Sequence, residues 1–170
     1  MTTGRLERLL PWACVAAAGV LFASELMTMF HFTPPGGEPL DTIQTSGERH
    51  GNAMFVVSIF AIVATIVAVW FGSRPAALGV AVMGMIALLF FLVGDLPKAG
   101  QTGTLEDASF RDAEVVPQSG FWLMMLGALG LALSGGALAT MTAEQLVSLR
   151  GRFFQRGTPK RKAPAKRDPA

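Results

Sequence analysis

Charge is nearly missing from four long stretches of this chain, and recognisable catalytic motifs are missing from all of it. Leu9 to Phe32 holds one charged residue, Glu25, while Asn52 to Gly72, Pro75 to Gly94 and Gly120 to Met141 hold none. There is one cysteine, Cys14, so no internal disulfide can form and any mechanism that needs a cysteine pair is excluded. No GxSxG, HExxH, HxxxH, CxxC or Walker-type phosphate loop occurs, which leaves hydrolytic, metalloprotease and nucleotide-cradling chemistry without a sequence basis. Gly36-Gly37 follows two prolines and reads as a turn. The expectation is a non-enzymatic protein without a cofactor, and Cys14 reads as a small packing residue.

What is present is length and apolarity. A helix rises about 1.5 Å per residue, so roughly 20 residues cross a hydrocarbon core of about 30 Å. All four uncharged stretches approach that length, whereas a helix buried in a soluble domain is usually shorter and keeps a polar stripe. The sequence therefore predicts an all-α integral membrane four-helix bundle over residues 1–141, with spans at about 9–32, 52–72, 75–94 and 120–141. The first stretch also has the basic start and apolar run of a secretion signal. Its run is longer than such signals use, and Phe22 and Glu25 stand where small residues are wanted, so a retained helix is expected.

Lys and Arg placement sets the orientation. Arg5 and Arg8 precede the first span, Arg74 lies in the link between the second and third, and eight bases follow the fourth. The loop 33–51 has Arg49 alone, and the loop 95–119 has Lys98 and Arg111 against Asp95, Glu106, Asp107, Asp112 and Glu114. Both termini and the Arg74 link are expected on the cytoplasmic side, and both long loops outside. The net charge of +2 thus reports topology and argues against a nucleic-acid partner.

Lipid is as apolar as leucine, so small residues that allow close approach drive helix association. Ala128, Ala132, Gly136 and Thr140 form such a stripe on the fourth span, suited to internal packing or to a homo-oligomer or larger membrane complex. Gly72-Ser73-Arg74-Pro75 predicts a tight antiparallel hairpin with Pro75 opening the third helix. A short amphipathic helix from Thr104 to about Val115 is expected in the second outer loop, started by a capping box at Thr104 to Asp107. Residues 142–157 read as an interfacial amphipathic helix with Leu146, Leu149 and Phe153 on one face. Residues 158–170 read as a disordered basic tail. Arg150, Arg152, Arg156, Lys160, Arg161 and Lys162 are the expected contacts to anionic lipid headgroups.

Glu25 is the one candidate site residue inside a span. An ionisable side chain there is costly and points to function by default. Helix rise places it about 22 Å beyond Leu10, in the outer half of the membrane. His31, Arg49, His50 and Asp95 all fall at the same boundary, and Glu25 is expected to pair with Arg49 or His50. His31, His50, Glu25 and Asp95 are ligand types that zinc accepts, and Met27, Met29 and His31 are types that copper accepts. Residues two apart do not share a helix face, so no metal site is expected.

Gly94-Asp95-Leu96-Pro97, followed by a loop ending Pro117-Gln118-Ser119-Gly120-Phe121-Trp122 before a Gly-rich helix, resembles small four-span membrane proteins common in actinobacteria. That resemblance implies the same topology in a bacterial cytoplasmic membrane and carries no activity or site. Two functions fit the sequence: an accessory or scaffold subunit that packs against itself or a larger complex, and a small proton or cation carrier or sensor using Glu25 with His31, His50 or Asp95.

Overall fold

The computed structural model describes residues 3–33, 43–45, 50–99, 102–103 and 113–154, with side chains at 9–31, 50–99 and 115–150. The protein is mostly helical. Helix α1 runs Thr3–Glu25 with Pro11 inside it. Helix α2 is Ala53–Phe71 and α3 is Arg74–Leu89. The chain continues from α3 through a π-helical turn, Phe90–Asp95, and a 3-10 turn, Leu96–Lys98. Helix α4 is Ser119–Ala139 and α5 is Ala143–Phe154.

Three helical stretches are long and apolar enough to cross a membrane: Ala53–Phe71, Arg74–Lys98 and Ser119–Ala139. The apolar part of α1, Leu9–Glu25, is shorter. Large apolar side chains face outward on these helices, among them Phe60, Val63, Val82, Leu89, Leu126 and Leu133. Small and polar residues face inward, including Ala61, Thr65, Ala77, Ala128 and Ser134. That is the reverse of a water-soluble bundle.

The first expected span overran. The helix does not reach Phe32; it ends at Glu25, and Thr28–Thr33 is a strand, β1. The last turn closes through Leu26 and Met27 N–H groups donating to the Ala23 and Ser24 carbonyls at 3.1 and 3.2 Å. Beyond it, Thr28-Met29-Phe30-His31-Phe32-Thr33 is rich in aromatic and β-branched residues, which suit a pleated surface. Strands β2 (Ile43–Thr45), β3 (Thr102–Gly103) and β4 (Ala113–Pro117) complete an antiparallel sheet in the order β2-β1-β4-β3. His31 lies opposite Ile43 on one side and Val116 on the other. The all-α expectation is corrected accordingly. The expected helix of the second outer loop is corrected at its end, where Ala113–Pro117 is strand; residues 104–112 lie outside the described residues.

The hairpin forms as its sequence predicts. Gly72 caps α2 with φ 64°, a conformation glycine adopts without penalty. Ser73 accepts the Ala76 N–H at 3.4 Å as the cap of α3, with Pro75 in its first turn. Helix α1 packs on α2 and α4, and α3 packs on the same two, so the four long helices close a ring. Their contacts are at backbone range. A Cβ on Gly127 would lie 2.7 Å from the Leu21 backbone nitrogen, and one on Gly135 would lie 2.8 Å from that of Ala81. Neither leaves room for any side chain.

A new helix, α5, begins after Thr142. Gln145 Oε1 accepts the Thr142 N–H at 2.8 Å, and Thr142 Oγ1 accepts the Gln145 N–H at 3.3 Å. This reciprocal capping box fixes its start. Leu146 and Leu149 are buried against the protein, and α5 packs on α2. The face expected to rest on lipid is therefore turned inward at these two residues.

Candidate polar site at the end of the bundle

Helix α2 begins without a cap of its own. Gly51 and Asn52 both take left-handed conformations, with φ 57° and 63°, and the Asn52 side chain makes no cap hydrogen bond. The first N–H groups of a helix need acceptors, and a buried one left without an acceptor costs about 1–3 kcal/mol. Glu25 supplies the acceptor from another helix: its Oε1 takes the Met54 N–H at 2.9 Å. Glu25 is 4% exposed. The positive end of the α2 dipole favours a carboxylate at that place. Its other oxygen, Oε2, is buried with no hydrogen-bond partner among the described residues.

The left-handed turn at Gly51-Asn52 joins α2 to His50, which meets Asp95. His50 Nε2 and Asp95 Oδ2 are 3.1 Å apart, with side chains 8% and 0% exposed. They stand at ion-pair distance without the alignment of a good hydrogen bond. The π-helical turn Phe90–Asp95 ends on Asp95, and the His50 ring lies edge-on to Phe90 with centroids 6.2 Å apart. A π turn and a left-handed non-glycine residue are both departures from regular backbone, of kinds that gather at functional sites. Here both serve the His50–Asp95 contact.

The polar residues singled out in the sequence are thus placed as follows. Glu25 and His50 sit at the two sides of the α2 start, and Asp95 faces His50. The expected Glu25–His50 pairing is replaced by Glu25–Met54 and His50–Asp95. His31 is half-buried on β1, with Nε2 buried and unbonded among the described residues. Arg49 lies outside the described residues. Among the described residues no three His, Cys, Asp or Glu side chains come together as a metal would require.

Sequence reasoning missed the Met54 amide, although a signal was present: Gly51-Asn52 ahead of an apolar run has no Ser, Thr or Asp to cap it. It also missed the buried hydroxyls deeper in the helices, where Thr65 of α2 and Ser134 of α4 donate to the Ala61 and Gly130 carbonyls at 2.7 and 2.6 Å.

The small-residue stripe of α4 divides. Ala128 is fully buried, and Ala132 backs onto Gly84 of α3, where a Cβ on Gly84 would stand 2.6 Å from the Ala132 Cα. Gly136 has open space beside it, and Thr140 is exposed, its hydroxyl donating to the Ala137 carbonyl at 2.7 Å. Of the expected lipid contacts, Arg150 stands 4.8 Å over the Trp70 ring. Arg152 is in α5 with its side chain outside the described residues, as are Arg156, Lys160, Arg161 and Lys162 altogether. No protein-family model, curated protein or solved structure matches the chain.

Proposed function

We propose that this chain is a non-enzymatic, four-span protein of a bacterial cytoplasmic membrane, with both termini inside, that responds to protons through the polar site at its outer end. The pattern of Lys and Arg supports the orientation, and the likeness to four-span actinobacterial membrane proteins fits it. In this topology α1 supplies the fourth span, and the sheet lies over the outer mouth of the bundle.

The observation that carries the functional reading is the buried His50–Asp95 contact at 3.1 Å. Histidine is the side chain whose charge ordinarily changes between about pH 5 and 8. With a proton on His50 the two groups form an ion pair. Without it, the buried carboxylate faces a neutral ring and the charge attraction between the two side chains is lost. The site therefore has two electrostatic states distinguished by one proton. Asp95 ends the π turn, and His50 adjoins the left-handed Gly51-Asn52 turn, so both partners lie beside departures from regular helix.

The scaffold reading drew on the α4 stripe, and Ala128 and Ala132 of that stripe are occupied within the protein. The test is nitrogen-15 NMR of the two histidines in detergent micelles across about pH 5 to 8. The His50 signals should shift in Asp95→Asn while those of His31 stay in place. A His50 ring insensitive to both pH and Asp95→Asn would reject the proposal.

A further inference from the structure

The geometry points to a binding site for an acidic phospholipid headgroup at the opposite, inner end of the bundle, built from Arg150 of α5 and Trp70 of α2. Trp70 lies in the last turn of α2 and is 40% exposed, next to Phe71, which is 73% exposed. An aromatic pair at the end of an apolar helix marks the level where acyl chains give way to headgroups. Arg150 is held at that level by its place over the Trp70 ring, 4.8 Å from the centroid.

A guanidinium lying on an aromatic face keeps its N–H edge free, and that edge matches the paired oxygens of a phosphate. Arg150 is exposed and makes no ion pair with a carboxylate among the described residues. The fit to α5 holds the clamp in place. Leu146 and Leu149 are buried on the bundle, and the Gly72 backbone approaches α5 so closely that a Cβ there would lie 2.7 Å from Val147 Cγ2. Helix α5 is therefore docked by its apolar side and presents Arg150 from a fixed position. Arg152, Arg156, Lys160, Arg161 and Lys162 follow in the sequence, with only Glu144 opposing them before Asp168, so the charge of this end complements an acidic membrane surface. The occupant is a lipid phosphate with a net negative headgroup, at a level set by Trp70. The inference rests on the membrane reading but not on the His50–Asp95 site, so either can fail alone.

The experiment is native mass spectrometry of the full-length protein in mild detergent, titrated with dioleoyl phosphatidylglycerol or dioleoyl phosphatidylcholine. Phosphatidylglycerol should be retained preferentially. Arg150→Gln should weaken its retention about fivefold, the weight of one base at an acidic surface. Trp70→Leu changes no charge and should weaken it comparably, whereas Trp70→Phe, which keeps a ring, should lie between. Equal retention of both lipids, or no change with Trp70→Leu, would overturn the site. Displacement of the lipid by millimolar inorganic phosphate would also overturn it, because the ligand would then be a free phosphate.

Discussion

Glu25, the last residue of α1, caps the first turn of α2 by accepting the Met54 N–H at 2.9 Å. One carboxylate thus ends one helix, starts another and brings His50, four residues before Met54, to the mouth of the bundle. Replacing Glu25 by Ala leaves the Met54 N–H without an acceptor and should cost about 1–2 kcal/mol of stability. Gln keeps an acceptor oxygen and should cost less than Ala. Unfolding by denaturing detergent measures both; equal losses for Ala and Gln would mean that charge, and not the hydrogen bond, is what Glu25 contributes.

His50 and Asp95 should be coupled. Removing one partner of a buried pair costs the other its matched neighbour, while removing both is milder. His50→Phe with Asp95→Leu should therefore be less destabilised than the sum of the single variants. The check is a double-mutant cycle on unfolding midpoints, and additivity would show that the two side chains act independently.

Close helix approach at specific glycines yields a contrast within one helix. Gly127→Val and Gly135→Val each place atoms in contact with backbone and should destabilise by about 1–3 kcal/mol or prevent accumulation. Gly136→Val meets open space and should be tolerated on packing grounds. Thermal unfolding followed by size-exclusion fluorescence distinguishes them; equal damage at Gly136 would show that this open face is covered by a partner.

Cys14 is fully buried, so it should react with a charged, membrane-impermeant thiol reagent only after unfolding. That makes Cys14→Ala a clean background for topology. In it, a cysteine at Thr42 should be labelled from outside intact cells, and one at Thr158 only after permeabilisation. Labelling of Thr158 in intact cells would invert the proposed orientation.

Much of the helical frame was legible because composition alone specifies it. The uncharged runs Asn52 to Gly72 and Gly120 to Met141 foreshadow Ala53–Phe71 and Ser119–Ala139 closely. The error fell at Thr28–Thr33, since a short apolar run reads the same whether it ends a helix or forms a strand. Strand pairing with Val115 and Val116, far along the chain, decided that segment. The site residues were legible by type and depth, because ionisable groups stand out against apolar surroundings. Their partners were not: His50 finds Asp95 through a π turn and a left-handed turn, neither of which carries a sequence period.

The measurement that bears most directly on the account is made on proteoliposomes with the protein in one orientation and the lumen buffered. Intrinsic tryptophan emission is followed while external pH alone is moved between about 5 and 8. Trp122 lies in the first turn of α4 beside Phe121, whose ring packs at a tilt against Phe91 of the π turn with centroids 4.8 Å apart, so it should register movement at the site. The account predicts a reversible change driven from the outer side, kept in His31→Gln and lost in His50→Gln. A response driven only by luminal pH, or one that survives His50→Gln, would contradict it.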